Sequence, residues 1–425
     1  MTTQHTLKCL GSGVEIQDVG LPLDSGRVNG TALLRTIFAE QRFNIGSEAD
    51  GLFRFASWLP INRKLSGSSA PITYKSTGLA ARIGLENLYI TFSGFWPERG
   101  IEMRTGTFKE CEAFSVCARL PEDFDDVLVV ASAGNTARAF VRVCSMNNIP
   151  LLVFVPEKNL SSIWCDHEVN PCVKLVAVRG DSDYLDAIQM ARRISQIDGF
   201  VAEGGAKNVA RRDGMGCTVL SAVSTIGHIP DFYFQAVGSG TGAIAAWEAV
   251  NRLHGDGRFG RDKMRLFVSQ NAPFLIIYDS WKRGGRELIE VDADTARKLV
   301  SQTHAKVLSN RQPPYGITGG LYDALVDTDG EVMAVSNSEV LKASEMFLET
   351  EGVDLAPAAS VAVASLIGAA KENVINSKSV IMLNVTGGGF DLLKKQMVLN
   401  SVEPSAVVPR DNIDKAVETT LSLFQ

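Results

Sequence analysis

From about residue 126 onward the chain alternates short, near-continuous apolar runs with longer segments of helical spacing. The runs VLVVA at 127–131, LLVFV at 151–155, KLVAV at 174–178, FVAE at 200–203 and FYFQAV at 232–237 each read as a strand. Met264–Ser269, VMAV at 332–335 and SVIMLNV at 379–385 continue the series, the last ending in Thr386. Helices are expected between them: one running to about Asn147 with Ala137, Phe140, Val141 and Cys144 on one face, then Tyr184–Gln196, Asp213–Gly227, Ala243–His254, Ser338–Thr350 and Ala358–Glu372. Strands apolar on both faces, separated by helices, are what parallel sheets covered on both sides require. The fold class is therefore α/β with doubly wound parallel sheets.

The first hundred residues are less regular. A strand is expected at Gly13–Ile16, a helix over Thr31–Glu40, a turn-rich loop at 62–70, a short helix at Gly78–Gly84 and a strand at Leu88–Phe92. Phe95–Met103 reads as an irregular loop leading to a helix at Cys111–Arg119, and 273–327 interrupts the later rhythm with charges and a Pro-Pro loop.

Composition narrows the function classes. The 425 residues are 45% hydrophobic and 21% charged, enough for two or three ordinary cores. A net charge of -6 argues against nucleic acid or an anionic membrane as partner. Residues 1–10 lack a signal-peptide pattern, and the small-apolar run 356–370 is too short to span a bilayer, so a cytoplasmic protein is expected. The seven cysteines show no C-x-x-C spacing and the five histidines no H-x-x-x-H spacing, so no metal site is expected.

Candidate chemistry lies at the ends of strands, where ligands sit in open α/β sheets. Gly238-Ser239-Gly240-Thr241-Gly242 joins a strand to a helix, and its backbone N–H groups with the helix N-terminus suit a phosphate. It resembles a dinucleotide fingerprint, but the third glycine comes one position early and the next strand ends in Ser269-Gln270 rather than an acid. Ser132-Ala133-Gly134-Asn135-Thr136 suits a carboxylate, with Asn135 in reach of a phenolic oxygen; plain helix capping fits the same residues. Thr386, before Gly387-Gly388-Gly389, offers a late hydroxyl. Lys109 follows the turn Arg104-Thr105-Gly106-Thr107-Phe108. A lysine, a phosphate cup, a carboxylate loop and a hydroxyl together match one cofactor, pyridoxal 5′-phosphate.

These motifs also resemble the tryptophan-synthase-β, or fold type II, pyridoxal-phosphate enzymes, and in particular their threonine synthase branch. The G-S-F-K-D of that group around its cofactor lysine resembles Gly106 to Glu110, its S-S-G-N-T resembles Ser132 to Thr136, and its T-G-x-G resembles Thr386 to Gly389. The combination W-P-E-x-G, T-F-K-E, S-A-G-N-T-A-R-A-F and E-G-G-A-K-N-V-A-R-R-D-G-M-G, from Trp96 to Gly216, closely resembles the archaeal cysteate synthase family. The resemblance implies a transferase that replaces the phosphate of O-phospho-L-serine with sulfite in coenzyme M biosynthesis. Threonine synthesis from O-phosphohomoserine, cysteine synthesis from sulfide, or a non-catalytic binding protein on the same fold are the rival readings.

It further implies two doubly wound domains, a large one from 1–117 plus 206–425 (with 1–70 as an N-terminal extension) and a small one at 118–205. Lys109 would be catalytic and hold the cofactor with Asn135, Gly238, Ser239, Gly240, Thr241, Gly242 and Thr386. Substrate would meet Ser132, Ala133, Gly134, Thr136, Asn208, Arg211 and Arg104, with Lys207 and Arg212 as further cations. Arg104 and the Trp96 loop are the places where the choice of nucleophile is expected to be decided. A homodimer is the expected assembly.

Overall fold

The apolar runs do become strands, most of them buried on both faces, in a computed structural model that describes residues 3–20 and 32–424. One sheet has five strands in the order Phe200–Ala202, Val127–Ala131, Leu151–Pro156, Val173–Arg179, Ala406–Pro409, every neighbouring pair parallel. Its middle strand, Leu151–Pro156, is buried at every position, which is why the sequence shows a continuous run rather than alternation.

The second sheet has six strands in the order Glu331–Val335, Arg265–Asn271, Phe232–Ala236, Val380–Val385, Asn87–Phe92, Ile72–Lys75. Only the outermost pair, Ile72–Lys75 with Asn87–Phe92, is antiparallel. Helix Pro357–Lys371 packs on its central strands. Proline fixes the first turn of that helix, and its alanines let it approach the sheet closely.

Four expectations need correcting. The segment 31–40 is not helical where described: Leu34–Phe38 is a strand paired antiparallel with His5–Cys9, and Thr31 lies outside the described residues. Leu34, Thr36 and Phe38 are buried while Arg35 and Ile37 are half-buried, a period of two that a strand satisfies and a helix does not. Phe95–Met103 is ordered as a hairpin, Phe95–Trp96 against Ile101–Glu102, around a one-turn helix at Pro97–Arg99 closed by Gly100 at φ 75°. The interrupted region 273–327 contains helices at Ile276–Arg283, Ala293–Gln302 and Leu321–Asp327.

The last correction concerns the domain boundary. Residues 206–425 do not all belong with the six-stranded sheet, because Ala406–Pro409 is an edge strand of the five-stranded one. Val408, with Ala416 of helix Ile413–Leu421, joins the apolar cluster of Val129, Leu152, Phe154 and Val176.

Candidate active site

The lysine turn is held by the exit of a strand from the six-stranded sheet. Gly388 N donates to Gly106 O at 3.0 Å and Phe108 N donates to Thr386 O at 3.0 Å, so Lys109 and Thr386 are positioned by one short ladder. Gly106 stands at φ +68°, and a Cβ there would lie 2.6 Å from the Phe390 ring, so glycine is required twice over. Helix Lys109–Arg119 starts at the lysine itself.

Lys109, Ser132 to Thr136, Gly238 to Gly242 and Thr386 all line one cavity of about 780 Å³, within the size range of small-molecule sites. Helices Asn135–Met146 and Thr241–Asp256 both begin on this cavity, at Gly134 and Gly240, neither of which has a side chain to cap with, while Thr241 N donates to Ser239 Oγ at 3.3 Å. Two helix N-termini facing one cavity give two places for an anion. The glycine cup is tight behind: a Cβ on Gly242 would lie 2.6 Å from Gln235 Nε2, and one on Gly238 3.0 Å from the Leu308 backbone. The Thr107 hydroxyl lines the cavity, buried, without a hydrogen-bond partner among the described residues. A primary amine, two anion seats and spare hydroxyls fit pyridoxal 5′-phosphate, which carries an aldehyde, a phosphate and a polar ring edge.

Side-chain charge gathers at the lysine end. Lys109 Nζ donates to Glu112 Oε2 at 3.0 Å, one turn along the same helix. Thr136 Oγ1 donates to the other oxygen of Glu112 at 3.0 Å, and Arg211 lies 3.3 Å from that oxygen. Arg211 also makes a bidentate pair with Glu203, with Nε at 2.7 Å from Oε1. Glu112 is fully buried. Burial pushes the Lys109 amine below its usual value, Glu112 opposes that shift, and Arg211 adds to it. Burial also works against the Arg211 charge, but Glu112 and then Glu203 outweigh it and raise the guanidinium above its usual value. Sequence reasoning passed over Glu112, Glu203 and Tyr184, all of which belong to or adjoin this cluster.

Asn135 is oriented from behind. Arg138 Nη2 donates to Asn135 Oδ1 at 2.9 Å and to Thr105 O at 2.8 Å, which turns the amide N–H₂ of Asn135 away from the guanidinium. Arg138 is buried over the Trp164 ring, and burial, opposed by Glu110, lowers it to about 10.

Asn208 and Arg104 lie outside the cavity lining. The Asn208 side chain accepts from Ala210 N at 3.0 Å and donates to Glu203 O at 2.7 Å, so both its ends are engaged in starting helix Val209–Ile226. Arg104 pairs with Asp166 at 3.3 Å and Glu102 at 3.5 Å. Trp96 stacks under Arg99 and against Tyr74 and Phe92, also away from the cavity. Arg212 is buried against Glu248, whereas Lys207 lines the cavity. The seven cysteines are free thiols. Cys165, Asp166 and His167 bring potential metal-ligand atoms within 4.8 Å of one another, a cluster that the spacing argument did not consider. Its carboxylate is already bound by Arg142 and Arg104. No helix of the described residues is long and apolar enough to cross a membrane.

Comparison with known proteins agrees with this geometry. Residues 95–387 match the family model described as "Pyridoxal-phosphate dependent enzyme". Cysteate synthase of Methanosarcina barkeri is 45% identical over 409 residues, 96% of this chain and 97% of that protein. The cysteate synthase of Methanosarcina mazei is 46% identical over 412 residues, 96% of this chain and 98% of that protein. Among solved structures, maize serine racemase superposes with a TM-score of 0.56 at 16% identity, covering 76% of this chain and 91% of that one, a likeness of fold alone. The chain belongs to the pyridoxal-phosphate-dependent enzymes and, within them, to the cysteate synthase family.

Proposed function

We propose that the protein converts O-phospho-L-serine and sulfite to L-cysteate and phosphate, as a step toward coenzyme M. The observation that carries this reading is the near full-length likeness to archaeal cysteate synthases, at 42–46% identity. The cavity supports it, since a dianionic substrate and an anionic nucleophile both suit a lining that includes Arg192, Lys207, Arg211 and Lys306. A cytoplasmic homodimer is the setting we propose.

When bound, pyridoxal 5′-phosphate draws electrons from the substrate Cα and makes its proton removable. The backbone of Gly238 to Gly242 would hold its phosphate at the start of helix Thr241–Asp256, Asn135 would meet the ring oxygen, and Thr386 the ring nitrogen. Ser132 to Thr136 would seat the substrate carboxylate at the other helix start. Lys109 Nζ would take the Cα proton; the Cβ–O bond breaks and phosphate departs with its electron pair. Sulfite then forms a Cβ–S bond through its sulfur lone pair, and Lys109 returns the proton to Cα. Arg211 would meet an anion only by sharing itself with Glu112 and Glu203.

Purified holoenzyme mixed with phosphoserine and sulfite should release cysteate and phosphate in equal amounts. Threonine from phosphohomoserine without cysteate, or cysteine from sulfide at a higher rate than cysteate from sulfite, would overturn the assignment.

A further inference from the structure

The reading above asks Lys109 for two things that need opposite protonation states. To attach to the cofactor its nitrogen must be neutral: the lone pair attacks the aldehyde carbon, C=N replaces C=O, and the oxygen leaves as water. To take the Cα proton, the freed amine must become a stable ammonium. A buried amine without a counter-ion does the first readily and the second poorly, because burial penalises the charged form.

The groups facing Nζ come from four elements. Its own helix supplies Glu112 at 3.0 Å. Helix Asn135–Met146 supplies the Thr136 hydroxyl, and helix Val209–Ile226 supplies Arg211, both onto Glu112. The segment after Phe200–Ala202 supplies Glu203, which is committed to Arg211 and to Gly205 N at 3.0 Å. Tyr184 and Lys207 line the same cavity. Glu112 is therefore the one carboxylate in contact with the amine among the described residues. It reaches Nζ because the two residues are three positions apart on one helix, which puts both side chains on one face.

We propose that Glu112 is the positioning residue that keeps the free Lys109 amine protonated, slowing cofactor attachment at low pH and stabilising the ammonium formed when the Cα proton is taken. The first half rests on the cofactor alone, and the second rests on the proposed role of Lys109 in turnover. Glu112 is the largest influence opposing burial at this amine. Its removal leaves the ammonium facing Arg211 with no carboxylate of its own.

The test is the pH profile of pyridoxal 5′-phosphate attachment to the apoprotein, read by absorbance and by borohydride trapping on Lys109. Wild type, Glu112→Gln and Glu112→Asp are compared. The midpoint in Glu112→Gln should fall by about one to two pH units. Well below the wild-type midpoint the variant should then attach cofactor about ten to a hundred times faster. Glu112→Asp keeps the charge but withdraws it from Nζ, and its midpoint should fall between the two. Exchange of the phosphoserine Cα hydrogen for solvent deuterium, by contrast, should be slower in Glu112→Gln. A structural defect would slow both processes, so opposite signs identify the role. An unchanged midpoint in Glu112→Gln overturns the proposal. If that variant does not fold, Glu112→Asp decides: a lowered midpoint supports it and the wild-type midpoint refutes it. A lowered midpoint with no exchange of phosphoserine even in wild type would refute the substrate reading and leave the Glu112–Lys109 link standing.

Discussion

The two ends of the cavity are built by opposite means. At one end Gly238 to Gly242 presents backbone and a helix start, with no side-chain charge of its own. At the other, Lys109, Arg211, Glu112 and Glu203 form a cluster of two formal positive and two formal negative charges. A backbone cup cannot change its protonation, so it suits a part that must be gripped throughout. Ionisable side chains in mutual contact can exchange protons and partners, so they suit the place where bonds change. In the proposed reaction, holding and reacting would thus fall to different materials within one cavity.

The widest separation of the two ends should come from Lys109→Ala. Turnover should fall by about a thousandfold or more, while equilibrium dialysis should find the cofactor still bound without covalent attachment. Loss of binding along with attachment would collapse the distinction. Arg211→Met comes next, because it leaves Glu203 without its guanidinium partner and takes one of the two cations from Glu112. Removing one partner of a buried ion cluster costs about 3 kcal/mol or more, measurable as a drop in unfolding free energy in urea, and stability equal to wild type would mean the cluster is not needed to balance charge.

Gly240→Val probes the other end. Gly240 lies at φ +78°, and a Cβ there would come within 2.7 Å of Leu321. Cofactor should bind about ten- to a hundredfold more weakly, with the pH midpoint for attachment unmoved once cofactor is saturating. A shifted midpoint would show that the ends are coupled. The smallest effect expected is in Asn208→Ala, which removes a helix cap worth about 1 kcal/mol. KM for phosphoserine should stay near wild type, and a large rise would return Asn208 to the substrate.

Much of this site could be read from the sequence because its backbone parts leave local marks. Gly106, Gly240 and the Gly387–Gly389 run stand out since only glycine tolerates the φ values or the close contacts found there. The charge cluster left a weaker mark. Lys109 and Glu112 are three apart, the spacing of one helix face, so that pair could have been found. Glu203 and Arg211 meet only because a one-turn helix at Gly205–Lys207 folds the chain back between them. The capping position of Asn208 was hidden because helix Val209–Ile226 starts four residues ahead of the apolar pattern that announces it. Leu34–Phe38 misled for another reason: five residues are too few to tell a period of two from one of 3.6 with assurance. Ala406–Pro409 could not be assigned to a sheet at all, since nothing local says which edge a four-residue strand will join.

That short strand has a consequence for how the protein is made. Until residues 406–409 leave the ribosome, Val173–Arg179 is an open, apolar edge with a full row of unpaired backbone groups. The five-stranded sheet thus receives its last strand, at 406–409, after the six-stranded one has received its own at 380–385. Arg410, bonded to Asp181 O at 2.7 Å, fastens the late arrival. Nascent chains stalled before residue 406 would be the form most exposed to chaperones and to self-association.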